Sequence, residues 1–163
     1  MQLIPTDFGW LLRMDEGRIQ RIEVDFRLGL LFGDKTETAS LHIGTPCNIK
    51  SEGKNSLLVP DAPWTLAPAL MLFNAEIADV SIQKTGLLTA KLKDGRSLEI
   101  EPDEQYEAWQ VGSTNGFLLV CSPGGEVAMF QQSGGANRGH SSTTPTGKRG
   151  HSAFTRKEGE DLN

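Results

Sequence analysis

Apolar and polar positions alternate along most of this chain, which predicts strands rather than helices. Ile22, Val24 and Phe26 share one parity, and so do Leu28, Leu30 and Phe32. A residue period of two puts one set on a core and leaves Arg21, Glu23, Asp25 and Arg27 on the opposite face. A Gly33-Asp34-Lys35 turn leads to a third strand over residues 39–43. The same succession returns later in the chain. Val80-Ser81-Ile82, a strand over 87–93, an Asp94-Gly95 turn and Leu98-Glu99-Ile100 end at Pro102, as the first copy ends at Pro46. Asp-Gly between alternating segments is a strong hairpin signal.

Two further stretches complete the strand pattern. Residues 47–59 are weakly patterned and predict two short edge strands around Glu52-Gly53-Lys54-Asn55. Residues 108–112, 117–122 and 126–130 read as a closing meander turned by Asn115-Gly116 and Pro123-Gly124-Gly125. The unbroken run Phe117-Leu118-Leu119-Val120-Cys121 predicts a strand covered on both faces. One helix is expected over 66–74, with Thr65 as N-cap, Pro68 in the first turn and Leu66, Leu70 and Phe73 on its apolar stripe. Trp64 and Trp10 are read as packing residues, Trp64 stapling against Ala69. The fold class is therefore α+β, mainly antiparallel β: two related three-strand meanders, one short helix and a C-terminal meander in a single domain, residues 1–130. Residues 131–163 are rich in Gly, Ser and Thr and are expected to form a flexible basic tail, because they cannot bury enough apolar surface to offset ordering.

Composition sharpens this picture. The net charge is −5, but the segment 131–163 holds five basic and three acidic residues, leaving residues 1–130 at −7. An acidic body repels phosphate backbones, so the folded part is not expected to bind nucleic acid and favours a basic partner instead. No signal peptide or membrane span is legible near the N-terminus, and the two cysteines, Cys47 and Cys121, read as buried free thiols of a reducing, cytoplasmic setting.

Catalytic signatures are lacking. His42 is the one histidine before the tail, where His140 and His151 lie. A Cys–His pair with Cys47 or Cys121 is the best-founded enzymatic alternative, and small-ligand binding through His42 belongs with it. No Cys-x-x-Cys or His-x-x-x-His spacing points to a metal, Glu99 and Glu101 read as a solvated strand face, and no cofactor is expected. The segment from Asp103 to Trp109 stands out instead. Asp103, Glu104 and Glu107 flank Tyr106 and Trp109 on an irregular stretch between strands. Carboxylates attract a cationic surface, and Tyr and Trp are the aromatic anchors that interfaces favour.

Leu66-Ala67-Pro68-Ala69-Leu70, Tyr106-Glu107-Ala108-Trp109 and Pro123-Gly124-Gly125-Glu126 occur in that order. Together they resemble a family of small bacterial proteins of unknown function, over about residues 10–130. The resemblance implies a fold and a bacterial cytoplasmic setting, and it supplies no activity. The functional expectation is a non-enzymatic protein-binding module, such as an immunity or inhibitor protein occluding a basic toxin through Asp103, Glu104, Tyr106, Glu107 and Trp109. A structural module that associates through sheet edges, with residues 47–59 as the edge, is the alternative of a different kind.

Overall fold

The computed structural model describes residues 1–114 and 116–131. Thirteen strands make up two antiparallel sheets: β1 (Gln2–Thr6), β2 (Gly9–Arg13), β3 (Arg18–Val24), β4 (Leu28–Gly33), β5 (Thr38–Ile43), β6 (Cys47–Ser51), β7 (Lys54–Leu58), β8 (Ile77–Gln83), β9 (Leu88–Leu92), β10 (Ser97–Ile100), β11 (Trp109–Ser113), β12 (Phe117–Cys121) and β13 (Val127–Gln131). One sheet runs β1-β2-β8-β9-β10-β6-β7 and the other β13-β12-β11-β5-β4-β3. Inward residues alternate along several strands, as Ala39, Leu41 and Ile43 do on β5 or Leu88, Ala90 and Leu92 on β9, and those of both sheets form one core. Each fully buried aliphatic side chain contributes roughly 1.5–3 kcal/mol.

The sequence repeat is a structural repeat, with one copy in each sheet. Leu28 faces Ile43 and Leu30 faces Leu41 in the first copy; Leu88 faces Ile100 and Ala90 faces Leu98 in the second. Both copies carry a β-bulge at the equivalent place, between Ile19 and Arg21 and between Ile77 and Asp79. Each copy then crosses to the other sheet. β6 leaves β5 and pairs with β10, while β11 leaves β10 and pairs with β5. This reciprocal exchange interlocks the two units. The tight turns that close each copy are held by an aspartate. Asp34 Oδ1 accepts from the Thr36 hydroxyl and from the backbone N–H of Thr36 and Glu37, which lowers its pKa to about 2. Asp94 Oδ1 accepts from Arg96 N–H at 3.1 Å.

Several expectations are corrected. Helical structure among the described residues is confined to two 3₁₀ helices, Pro63–Thr65 and Ala67–Leu72, so the fold is mainly β and the α+β label is loose. Thr65 is no N-cap: its hydroxyl accepts from Val59 N–H and donates to the Ala62 carbonyl. A 3₁₀ helix repeats every three residues, so Leu66, Ala69 and Leu72 turn inward while Leu70 and Phe73 are exposed. Trp64 is 81% exposed and staples nothing. Phe26 lies in a turn at 89% exposure and Val24 is half exposed, because β3 is an edge strand; their counterpart strand β8 is covered by β2 and keeps Val80 and Ile82 buried. β12 is covered on one face alone, since Leu119 and Cys121 are buried and Leu118 is exposed. The β1–β2 hairpin was not legible in the alternation and extends the sheet beyond the repeat. Gln131, expected in the tail, closes β13, and the rest of the tail, residues 132–163, lies outside the described residues.

The two lateral seams between the sheets differ. The second 3₁₀ helix packs against both β3 and β7 and closes one seam with Leu66, Ala69 and Leu72. The other seam, between β1–β2 and β12–β13, holds an open pocket of about 460 Å³ lined by Leu3, Pro5, Trp10, Phe117, Met129 and Gln131.

Candidate functional site

Strand directions gather six connections at one end of the molecule: residues 7–8, 25–27, 44–46, 84–87, 101–108 and 122–126. Backbone hydrogen bonds lace them together. Lys84 N–H donates to Phe8 O, Gly124 N–H to Asp103 O and Gly44 N–H to Ala108 O. These connections carry seven acidic residues, namely Asp7, Asp25, Glu101, Asp103, Glu104, Glu107 and Glu126, against Arg27 and Lys84. They also present three exposed aromatic rings: Phe8, Phe26 and Tyr106, the last at 66%.

None of those seven acids joins an ion pair among the described residues. The ion pairs lie elsewhere: the Met1 amino group with Glu37, Arg18 and Lys93 with Glu76, Arg21 with Glu23, Lys50 with Glu99, and Arg96 with Asp94. The opposite end, with its Lys93, Arg96 and Glu37, thus neutralises much of its own charge. The acidic end does not. Like charges held together without counter-charge oppose folding mildly and raise the local attraction for a cation or a basic surface.

The residues expected to form the site divide. Asp103 is half-buried and shapes the loop: its Oδ1 accepts from Gln105 N–H at 2.7 Å and Tyr106 N–H at 2.9 Å. That turn presents Glu104, Tyr106 and Glu107 to solvent, with Glu107 also accepting from the Gln110 amide. Trp109 belongs to the core, 1% exposed, and its indole Nε1 donates to Gly86 O at 2.7 Å. Its ring is not available to a partner. Asp7, Phe8, Asp25, Phe26 and Glu126 are members of the same surface that the sequence reading passed over. Their signal was an aromatic directly after an aspartate in a turn, Asp7-Phe8 and Asp25-Phe26.

The groups for an enzymatic alternative do not converge. His42 sits between Gly29 and Gln110 on the outer face of its sheet, whereas Cys47 and Cys121 are buried inside. Burial pushes the Cys47 thiol up to about 12 and raises that of Cys121, so both are poor nucleophiles. Glu99 is paired with Lys50, apart from Glu101. Among the described residues no group of three or more His, Cys, Asp or Glu could hold a metal ion, and no helix is long and apolar enough to cross a membrane.

Fold and site together define a two-sheet antiparallel β protein whose distinguishing surface is an acidic cluster of turns tipped with aromatic rings. Residues 10–131 match the model of DUF6188, a family of unknown function, and the chain belongs to that family. The match runs from the second residue of β2 to the last residue of β13, so it spans both copies of the repeat. No curated protein and no solved structure matches the chain.

Proposed function

We propose that this protein is a non-enzymatic binding module whose acidic end occludes a basic protein partner, as an immunity or inhibitor protein would occlude a cationic toxin. The observation that carries the reading is the seven-to-two excess of acids over bases at one end, with none of those acids in an ion pair. Uncompensated charge speeds encounter with a complementary surface, and exposed aromatic rings supply the apolar contact that holds it. Tyr106 and Phe26, with the carboxylates of Glu104 and Glu107, would form that contact, and Asp103 would hold the loop in shape.

The test is affinity capture from the native host at low and at physiological salt. A Glu104→Lys/Glu107→Lys variant and a Glu16→Lys/Glu52→Lys control at the opposite end run alongside. A basic protein retained by the wild type and by the control, and lost by the first variant, supports the reading. Capture of acidic proteins only, or of a partner indifferent to both charge reversals, would sink it.

A further inference from the structure

Four strands form the outer edges of the two sheets: β1, β7, β3 and β13. An unpaired edge displays free backbone donors and acceptors and invites another strand, so folded proteins guard it with proline, charge, bulges or a covering element. Three of the four edges are guarded. β1 carries Pro5; β3 carries Arg18, Arg21 and Glu23, a bulge and the neighbouring 3₁₀ helix; β7 carries Lys54 and lies against the same helix. β13 has none of these. Val127-Ala128-Met129-Phe130-Gln131 has no charge and no proline, and pairs with β12 without interruption.

The hydrogen-bond phase of β13 is fixed by its hairpin. Gly125 N–H donates to Ser122 O at 3.0 Å and Ser122 N–H to Glu126 O at 2.8 Å, so Ser122 and Glu126 form the closing hydrogen-bonded pair. In an antiparallel ladder such pairs alternate. Val120–Ala128 and Leu118–Phe130 are therefore bonded to each other, and the N–H and C=O groups of Val127, Met129 and Gln131 point away from β12. Among the described residues no strand pairs with them.

We propose that β13 pairs antiparallel with β13 of a second copy of this chain, in a register centred on Met129. That register matches all the outward groups. Met129 exchanges two hydrogen bonds with its symmetry mate, and Val127 and Gln131 exchange two more at each side, as an isologous contact requires. Ala128 then lies opposite Phe130 of the other copy, so the exposed ring covers a methyl group on the outer face. No like charges meet, because β4, β5, β11, β12 and β13 contain no Asp, Glu, Lys or Arg. The antiparallel two-fold also sends the two acidic ends in opposite directions, which separates their repulsion and leaves each open.

Light scattering on the full chain over a wide concentration range tests this, with Met129→Pro and Phe130→Lys as variants. Proline at 129 removes an N–H that points outward, so the β12–β13 ladder keeps its own bonds while the contact between copies loses both bonds at its centre. The wild type is expected to move towards twice the chain mass, and each variant to self-associate at least tenfold more weakly, with the wild-type melting temperature at dilutions where the wild type is monomeric. If proline disturbs folding, Phe130→Lys decides, since that side chain is 56% exposed. A wild type that stays monomeric throughout, or a dimer that survives both substitutions, overturns the proposal. So does β13 pairing with an extended segment of another protein in place of its own copy.

Discussion

The indole nitrogen of Trp109 donates a buried hydrogen bond to the carbonyl oxygen of Gly86, 2.7 Å away, and this bond ties the two sheets together beneath the acidic end. Trp109 opens β11 in one sheet; Gly86 lies in the β8–β9 turn of the other. The turns fit closely there. Gly86 has φ +91°, and a Cβ on it would meet Cys121 Sγ and the Gly125 carbonyl oxygen at 2.8 Å. Trp109→Phe keeps an aromatic in the core and strands the Gly86 carbonyl without a donor, an omission costing about 1–3 kcal/mol. Urea unfolding is expected to show a lower midpoint with an unchanged slope.

Tyr106 is expected to behave in the opposite way. Its ring is exposed, so Tyr106→Ala should shift stability by no more than about 0.5 kcal/mol. Its effect should fall on affinity for the basic partner, where truncating an aromatic anchor costs about 2 kcal/mol or more. Titration of the captured partner against both variants separates the roles: Trp109→Phe lowers stability with little change in affinity, and Tyr106→Ala does the reverse.

A similar contrast tests the 3₁₀ segment. Leu72 is completely buried where the helix closes the seam between β3 and β7, while Leu70, two residues earlier, is 63% exposed. Leu72→Ala should cost about 2–5 kcal/mol and Leu70→Ala almost nothing, measured by the same unfolding curves. An α-helix with Leu66, Leu70 and Phe73 on its inner stripe would give a large cost at Leu70 instead.

This misassignment shows which parts of the fold were legible. Leu66, Ala69 and Leu72 fit a period of three as well as they fit an amphipathic α-helix, and short segments are settled by what they pack against. The repeat was clear because Leu28, Leu30 and Phe32, and again Leu88, Ala90 and Leu92, keep a period of two that faces the core in both copies. Phe26 misled because parity says which face a side chain takes, but not where the strand ends. The acidic loop was visible in Glu104, Tyr106 and Glu107. Its wider surface was not, since Asp7-Phe8, Asp25-Phe26 and Glu126 are brought together by strand order alone. Nor can sequence tell a buried tryptophan from an exposed one: Trp109 at the start of β11 is enclosed, and Trp64 in the first 3₁₀ helix is bare.

The buried thiol of Cys47 sets a limit on stability in alkaline solution. Burial raises its pKa from 9.0 to about 12, so the folded chain keeps a proton that the unfolded chain releases above pH 9. Between those values the folded state binds more protons than the unfolded one, and stability must fall as pH rises, by about 1.4 kcal/mol per pH unit for one such group. Below pH 9 both states hold the proton, and the thiol contributes no slope. Cys121, raised in the same direction by burial, adds to the decline. Urea unfolding at pH 8, 10 and 11 should therefore show a steeper loss for the wild type than for Cys47→Ala, whose overall stability is lower because the substitution leaves a small cavity. The two curves should converge as pH rises. In the same experiment, thiol reagents should label the folded protein slowly at pH 8 and the urea-unfolded chain quickly. Parallel pH profiles for the two proteins would mean that Cys47 reaches solvent in the native state.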